Sequence, residues 1–223
     1  MTNRIQITML FVFLLALPAG IFSQQAAYTV LIKTSAGDLK CILYKETPMH
    51  ADNFVELAEK GFYNGLLFHR VISDFMIQTG DPNSRNAEKG AVLGYGDSGY
   101  RIPAEFHPAL YHKKGALAAA RQGDQINPGR ESNGSQFYIV QGKKLIDEEL
   151  NAMEASGSHI AFTPEQRMFY SEVGGTPHLD YAYSVFGEVI EGLEVIDKIA
   201  SVETDGRDRP VEDVKIISII VLK

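Results

Sequence analysis

Short alternating runs punctuated by turn residues recur along this chain from Tyr28 onward. The most constrained of them is Phe68–Asp81, Phe-His-Arg-Val-Ile-Ser-Asp-Phe-Met-Ile-Gln-Thr-Gly-Asp. It reads as two short strands joined at Ser73–Asp74. With the turn centred on Asp74, Arg70 faces Gln78 and Ile72 faces Met76, and a period of two puts all four on one face. Phe75 has the wrong parity and needs a bulge or a strong twist to join them. A guanidinium, a carboxamide and an apolar floor suit a small apolar ligand held under a hydrogen-bond donor. A core hairpin with a surface arginine fits the same residues.

Other segments extend the pattern. Tyr28–Thr34 and Asp38–Tyr44 form a hairpin around Ser35-Ala36-Gly37. Thr47 as N-cap and Pro48 at the first helical position open a helix, whose stripe is Ala51, Phe54, Val55 and Ala58 and whose stop is Gly61. Gly115–Ala120, Gln136–Val140, Tyr183–Val189 and Val214–Leu222 read as strands, and Gly192–Ser201 as a short helix. Residues 142–176 change character. Lys143–Ala155 is helical with Ile146, Leu150 and Met153 on one face, and Thr163-Pro164-Glu165-Gln166 is a capping box opening a helix to about Val173. This segment reads as an inserted helical pair. Short strands, two flanking helices and no βαβ alternation predict a closed or nearly closed antiparallel barrel, a mainly β fold.

The N-terminus is not part of that pattern. Arg4 precedes the nine-residue apolar run Met9–Leu17, then Pro18-Ala19-Gly20 and small residues follow, the layout of a signal peptide over residues 1–23. Nine apolar residues are too few to span a bilayer, so no membrane span is expected in the mature chain. The chain is then exported, periplasmic or secreted. Cys41 is the only cysteine, which excludes an intramolecular disulfide and fits a buried thiol in a strand. A net charge of −7 provides no electrostatic footprint for nucleic acid.

Other chemistries lack their parts. Gly94-Tyr95-Gly96-Asp97-Ser98-Gly99 matches GxGxxG without the preceding strand and following helix that a dinucleotide site needs. The Asp97-Ser98 pair within it has no matching base for a serine-hydrolase triad. Asn133-Gly134-Ser135 is a formal glycosylation acceptor. The six histidines form no metal-ligand spacing, and no cofactor is expected.

Phe68-His69-Arg70-Val71-Ile72 and Phe75-Met76-Ile77-Gln78-Thr79-Gly80-Asp81 resemble the signature of cyclophilin-type peptidyl-prolyl cis-trans isomerases. Asn133–Ile139 is similar to the family's second signature, and Ile102–Phe106 and Ser184–Val189 resemble further family blocks in order. The resemblance covers residues 28–223, with 142–176 as an insertion. A leader together with this insertion points to a bacterial-like member.

The resemblance implies a closed eight-stranded antiparallel β-barrel capped by two helices, with the site on its outside. It implies a catalytic arginine at Arg70 with Gln78 and Phe75 beside it. Met76, Tyr138 and Leu179 complete the proline pocket, and Gln136 adds polar wall. Ala120, Arg121 and Gln122 receive the substrate backbone. Tyr138 stands where Phe is usual, His178 where many members have Trp, and Tyr183 where many have His. The implied activity is isomerisation of X–Pro bonds in Pro-containing peptides and unfolded exported proteins. The alternative is a Pro-peptide-binding or chaperone module of the same fold with little turnover. Replacement of Trp by His178 implies weak cyclosporin binding.

Overall fold

A computed structural model describes residues 25–222, so the expected leader over residues 1–23 lies outside the described residues. The first hairpin pairs β1 (Ala26–Thr34) with β2 (Gly37–Tyr44). Strand alternation sends Val30, Ile32, Leu39, Cys41 and Leu43 to one fully buried face. Thr34 ties the turn, its hydroxyl donating to Gly37 O at 2.6 Å and accepting from Ala36 N–H at 3.0 Å. Helix α1 (Pro48–Glu59) starts at the expected proline. Thr47 makes no side-chain cap, however. The Glu105 carboxylate accepts the Met49 and His50 N–H groups at 3.1 and 3.0 Å instead, satisfying two donors that a helix start leaves free.

Next come β3 (Arg70–Ile72), β4 (Met76–Thr79), β5 (Arg101–Ile102), β6 (Ala116–Ala119), β7 (Ser132–Asn133) and β8 (Phe137–Val140). They are followed by helices α2 (Asp147–Ala155) and α3 (Pro164–Glu172), strand β9 (Val185–Glu191), helix α4 (Leu193–Ala200) and strand β10 (Ile216–Leu222). Eight strands form one antiparallel curled sheet in the order β10-β1-β2-β9-β6-β8-β4-β3, and β5 and β7 pair separately.

The expected closed barrel is not formed, because the ladder ends at β10 and β3. Among the described residues the three-residue β3 pairs only with β4, and on its other side Val71 N–H donates to Asp208 O, so a loop lies along that edge. The two ends of the sheet are tied by the Leu67–Lys215 bridge and by backbone bonds such as Phe68 N–H to Val214 O at 2.8 Å.

Alternation along β4, β6 and β8 divides the apolar side chains between two cores. Ile77, Leu117, Ala119, Phe137 and Ile139 join the residues of α1 and α4 inside the curl. Met76, Ala116, Ala118, Tyr138 and Val140 face outward into a second cluster with Tyr44, Leu110 and Val185. The candidate site sits on this second face.

Helix α2 starts later than the expected Lys143. Residues 143–146 are extended, because Lys143 bridges Gly175 and Leu145 N–H donates to Tyr170 O. Ile146 is consequently exposed and not on a buried stripe, whereas Leu150 is fully buried. The capping box of α3 forms as expected, with Thr163 Oγ1 accepting from Gln166 N–H and Gln166 Oε1 accepting from Thr163 N–H. Tyr111, Leu145, Leu150, Phe162 and Tyr170 make a third small core between this helical pair and the sheet. Among the described residues no helix is long and apolar enough to cross a membrane.

Candidate active site

Four neighbouring strands align the row of residues under the site by their register. On β3, Arg70 pairs with Gln78 of β4, Gln78 pairs with Tyr138 of β8, and Tyr138 pairs with Ala118 of β6. A pocket of about 110 Å³ lies over this row. Phe75, Met76, Tyr138 and Leu179 supply its apolar surfaces, Arg70 and Gln78 one polar side, and Ala120, Arg121 and Tyr183 the other.

Phe75, whose parity called for a bulge or a strong twist, reaches the pocket from the turn. Asp74 takes φ +60° and Phe75 N–H donates to Ile72 O, so Phe75 belongs to the turn and strand alternation does not bind it. The Arg70 guanidinium carbon lies 5.9 Å from the Phe75 ring centre. Its Nη1 donates to Gln78 Oε1 at 3.5 Å, and its Nε lies 3.6 Å from the Asp208 carboxylate. These are long contacts on a side chain 42% exposed, so the donors remain free to engage a ligand.

Behind the arginine the amides form a directed chain. Gln136 Nε2 donates to the Gly96 and Gly94 carbonyls at 2.6 and 3.1 Å. Its Oε1 must then face Gln78, whose Nε2 donates at 3.0 Å. That leaves Gln78 Oε1 to accept from Arg70. The glycine motif that resembles a nucleotide loop is the outer anchor of this chain, and no helix follows it. A Cβ at Gly96 would lie 2.1 Å from Asp81 Oδ1, so close packing accounts for that glycine. Asn133, in the formal glycosylation pattern, uses its Oδ1 to accept Ser135 and Gln136 N–H, both at 2.9 Å, and its Nδ2 to donate to Gly96 O.

Not every expected residue enters the pocket. Gln122 and Gln136 line an adjoining cavity of about 270 Å³ together with Gly94, Tyr95, Arg101 and Ile126. Gln78, Ala120 and Arg121 border both spaces. Arg121 is held inside the structure: Nε donates to Ala182 O at 2.7 Å, Nη1 meets Asp124 at 2.6 Å, and its guanidinium lies 4.6 Å from the Tyr183 ring centre. His178 stays outside the lining and stacks on Phe75 with centroids 5.6 Å apart, and burial lowers its pKa. Burial also lowers His69, next to Arg70, to about 4.

A buried polar cluster behind Tyr138 was not legible in the sequence. Tyr138 Oη meets His112 Nε2 at 3.0 Å, and His112 Nδ1 meets Asp180 Oδ1 at 2.8 Å. Asp180 Oδ2 accepts the Tyr170 hydroxyl at 2.6 Å and lies 3.0 Å from His159 Nε2. Burial works to raise the Asp180 pKa, but the hydrogen bonds from His112, His159 and Tyr170 hold it down to about 2. The partners are distant in sequence, and no motif joins them. Among the described residues no group of three His, Cys, Asp or Glu side chains is arranged to hold a metal.

Comparison with known proteins agrees with this geometry. Residues 29–221 match the family model described as cyclophilin type peptidyl-prolyl cis-trans isomerase/CLD. A protein of Streptococcus pyogenes named "Putative bifunctional phosphatase/peptidyl-prolyl cis-trans isomerase" is 40% identical over 195 residues; the match covers 86% of this chain and only 38% of that longer protein. A "Putative peptidyl-prolyl cis-trans isomerase" of Staphylococcus haemolyticus is 38% identical, covering 86% of this chain and 90% of its own length. Among solved structures, a cyclophilin type peptidyl-prolyl cis-trans isomerase of Cryptosporidium parvum superposes with TM-score 0.63 at 26% identity, covering 88% of this chain and 98% of that one. A structure of that enzyme in the presence of the dipeptide Ala-Pro gives TM-score 0.62 at 26% identity, over 87% of this chain and 99% of that one.

Proposed function

The chain belongs to the cyclophilin-type peptidyl-prolyl cis-trans isomerases, and from that premise we propose that Arg70 is its catalytic group and the Phe75–Met76–Tyr138–Leu179 pocket its proline seat. The observation that carries this reading is a guanidinium with loosely held donors at the rim of an apolar pocket of about 110 Å³. Rotation about X–Pro is slow because the nitrogen lone pair is delocalised into the carbonyl, a barrier of roughly 18–20 kcal/mol. In the twisted transition state that lone pair is localised on nitrogen. A donor held over the nitrogen binds this state better than the planar one, which lowers the barrier without a nucleophile.

Arginine suits the task because it stays protonated, and the Gln136–Gln78 amide chain steadies it from one side. The apolar walls fix the proline ring while the acyl side turns, and the Ala120–Gln122 strip aligns the peptide backbone. The test is Arg70→Ala in a protease-coupled assay on a Pro-peptide. The expected loss in kcat/KM is on the order of 10²–10³, the scale of one transition-state donor. Turnover within a few-fold of wild type would remove Arg70 from the mechanism. High affinity for Pro-peptides with negligible wild-type turnover would favour the alternative reading, a binding or chaperone module.

The substrates proposed are Pro-containing peptides and unfolded exported proteins. The support is the leader pattern Met9–Leu17 followed by Pro18-Ala19-Gly20. The intact mass of the protein recovered outside the cytoplasm should lack about the first 23 residues, in line with a signal peptide of ordinary length. Retention of the whole chain in the cytoplasm would overturn export.

A further inference from the structure

Tyr138 contributes a ring to the pocket, yet its hydroxyl is drawn away from it. The ring lines the pocket, while the hydroxyl bonds His112, a side chain with no exposed surface. Asp180 receives the His112 backbone N–H at 2.8 Å and lies the same distance from His112 Nδ1. A carboxylate can only accept, so the Nδ1 hydrogen points at Asp180, which turns the Nε2 edge of the ring to the Tyr138 hydroxyl. His112 is thereby fixed at four points, including its carbonyl, which accepts Thr176 N–H at 2.9 Å.

The other oxygen of Asp180 belongs to the 142–176 segment. It accepts the Tyr170 hydroxyl from α3 and faces His159 Nε2 from the loop between α2 and α3. The second nitrogen of His159, Nδ1, faces the Ile160 carbonyl. Both ring nitrogens therefore face pure acceptors, an arrangement satisfied only by the doubly protonated ring. The His159 ring stacks on Phe162 with centroids 3.8 Å apart. A continuous set of direct contacts thus runs from the helical pair to the pocket floor.

We propose that His112 and Asp180 are positioning residues for the proline pocket, and that Tyr170 and His159 let the 142–176 segment set where the Tyr138 ring lies. This rests on the reading of the pocket given above. A peptide that touches the helical pair would be sensed at the pocket through this route, so substrate affinity, more than the rotation step, is what the network adjusts.

The test is a double-mutant cycle in steady-state isomerisation of a Pro-peptide, pairing Tyr170→Phe with Tyr138→Phe. Tyr170→Phe removes one hydroxyl and keeps the ring. It is expected to raise KM by about two- to fivefold while kcat changes by less than about twofold, within the reach of a single hydrogen bond. In the Tyr138→Phe background the same substitution should leave KM where Tyr138→Phe alone sets it, although it still lowers the unfolding midpoint. An equal KM shift in both backgrounds, or a lowered midpoint with no KM shift in either, would overturn the proposal. If Tyr170→Phe does not fold, His159→Gln enters the same cycle from the other contact. Arg70→Ala is run alongside. Loss of turnover there keeps the pocket reading, so a missing coupling counts against the network alone. Unchanged turnover overturns the pocket reading and the network proposal together.

Discussion

Single side chains decide how well this site is held. Gln136 is almost fully buried and makes three side-chain hydrogen bonds, to Gly94 O, Gly96 O and Gln78 Nε2. Gln136→Ala leaves the buried Gly96 carbonyl and the more exposed Gly94 carbonyl without that donor and frees the Gln78 amide to turn. The expected cost is about 1–3 kcal/mol in denaturant unfolding, with kcat/KM falling as well because Arg70 loses its oriented acceptor. A variant as active as wild type would show that the amide chain does not steady Arg70. His178 poses a different question. It touches Phe75 and not the pocket space, so an indole there would add apolar surface at the pocket's rim. His178→Trp is expected to tighten cyclosporin inhibition. Roughly 50–100 Å² of added contact at about 25 cal/mol per Å² corresponds to about ten- to seventyfold. Equal inhibition constants for the two proteins would place control of the inhibitor elsewhere, for instance at Tyr183.

At the scale of elements, what the sequence conveyed followed from local chemistry. The Arg70–Gln78 hairpin register, the α3 capping box and the Pro48 helix start rest on neighbouring residues, and each was readable. The cap of α1 was not, because its acceptor Glu105 lies more than fifty residues downstream. The Ile102–Phe106 block resembles a family signature, and one of its structural tasks is this cap. Glu105→Gln keeps the size but weakens two backbone contacts and the 2.6 Å contact with His50 Nδ1. It should cost about 0.5–2 kcal/mol, the range for a lost helix cap, read from chemical unfolding. No change in stability would mean that α1 is capped adequately without it. The 142–176 segment is the other element-scale question. Replacing residues 147–172 by a Gly/Ser linker removes both contacts to Asp180 Oδ2, yet leaves the Gly175 bridges to Lys113 and Lys143. The sheet is expected to unfold cooperatively still, at a lower midpoint and with altered peptide preference. Failure to fold would make the helical pair part of the core.

For the whole molecule, barrel closure and the buried charge cluster were both illegible for one reason: each depends on which distant segments meet. Local alternation gave the strands, but the loop beside β3 and the Asp180 cluster are long-range outcomes. The cluster also gives the fold a pH dependence. Asp180 faces His112, His159 and Tyr170; Glu154 adds to the field at His159, and Arg167 pairs with Glu154 at 2.7 Å. Burial opposes the charge on His159, but Asp180 and the Ile160 carbonyl prevail and raise its pKa above the usual histidine value of 6.5. A raised folded-state value means that the native state holds the proton more tightly than the unfolded chain. The resulting stability is complete below pH 6.5 and is lost as pH rises through the folded value. Asp180 behaves oppositely: its contribution is present above 3.8 and is lost as pH falls towards 2. His69, lowered to about 4, also weakens the fold on acidification, between 6.5 and 4. Total stability therefore does not isolate His159; the difference between wild type and His159→Gln does. Denaturant unfolding of both proteins from pH 5 to pH 9 should show wild type ahead by its largest margin at the acidic end. The margin should shrink above pH 6.5. A margin that is constant or grows towards pH 9 would mean that His159 contributes as a neutral packed ring and that Asp180 is balanced by its other partners.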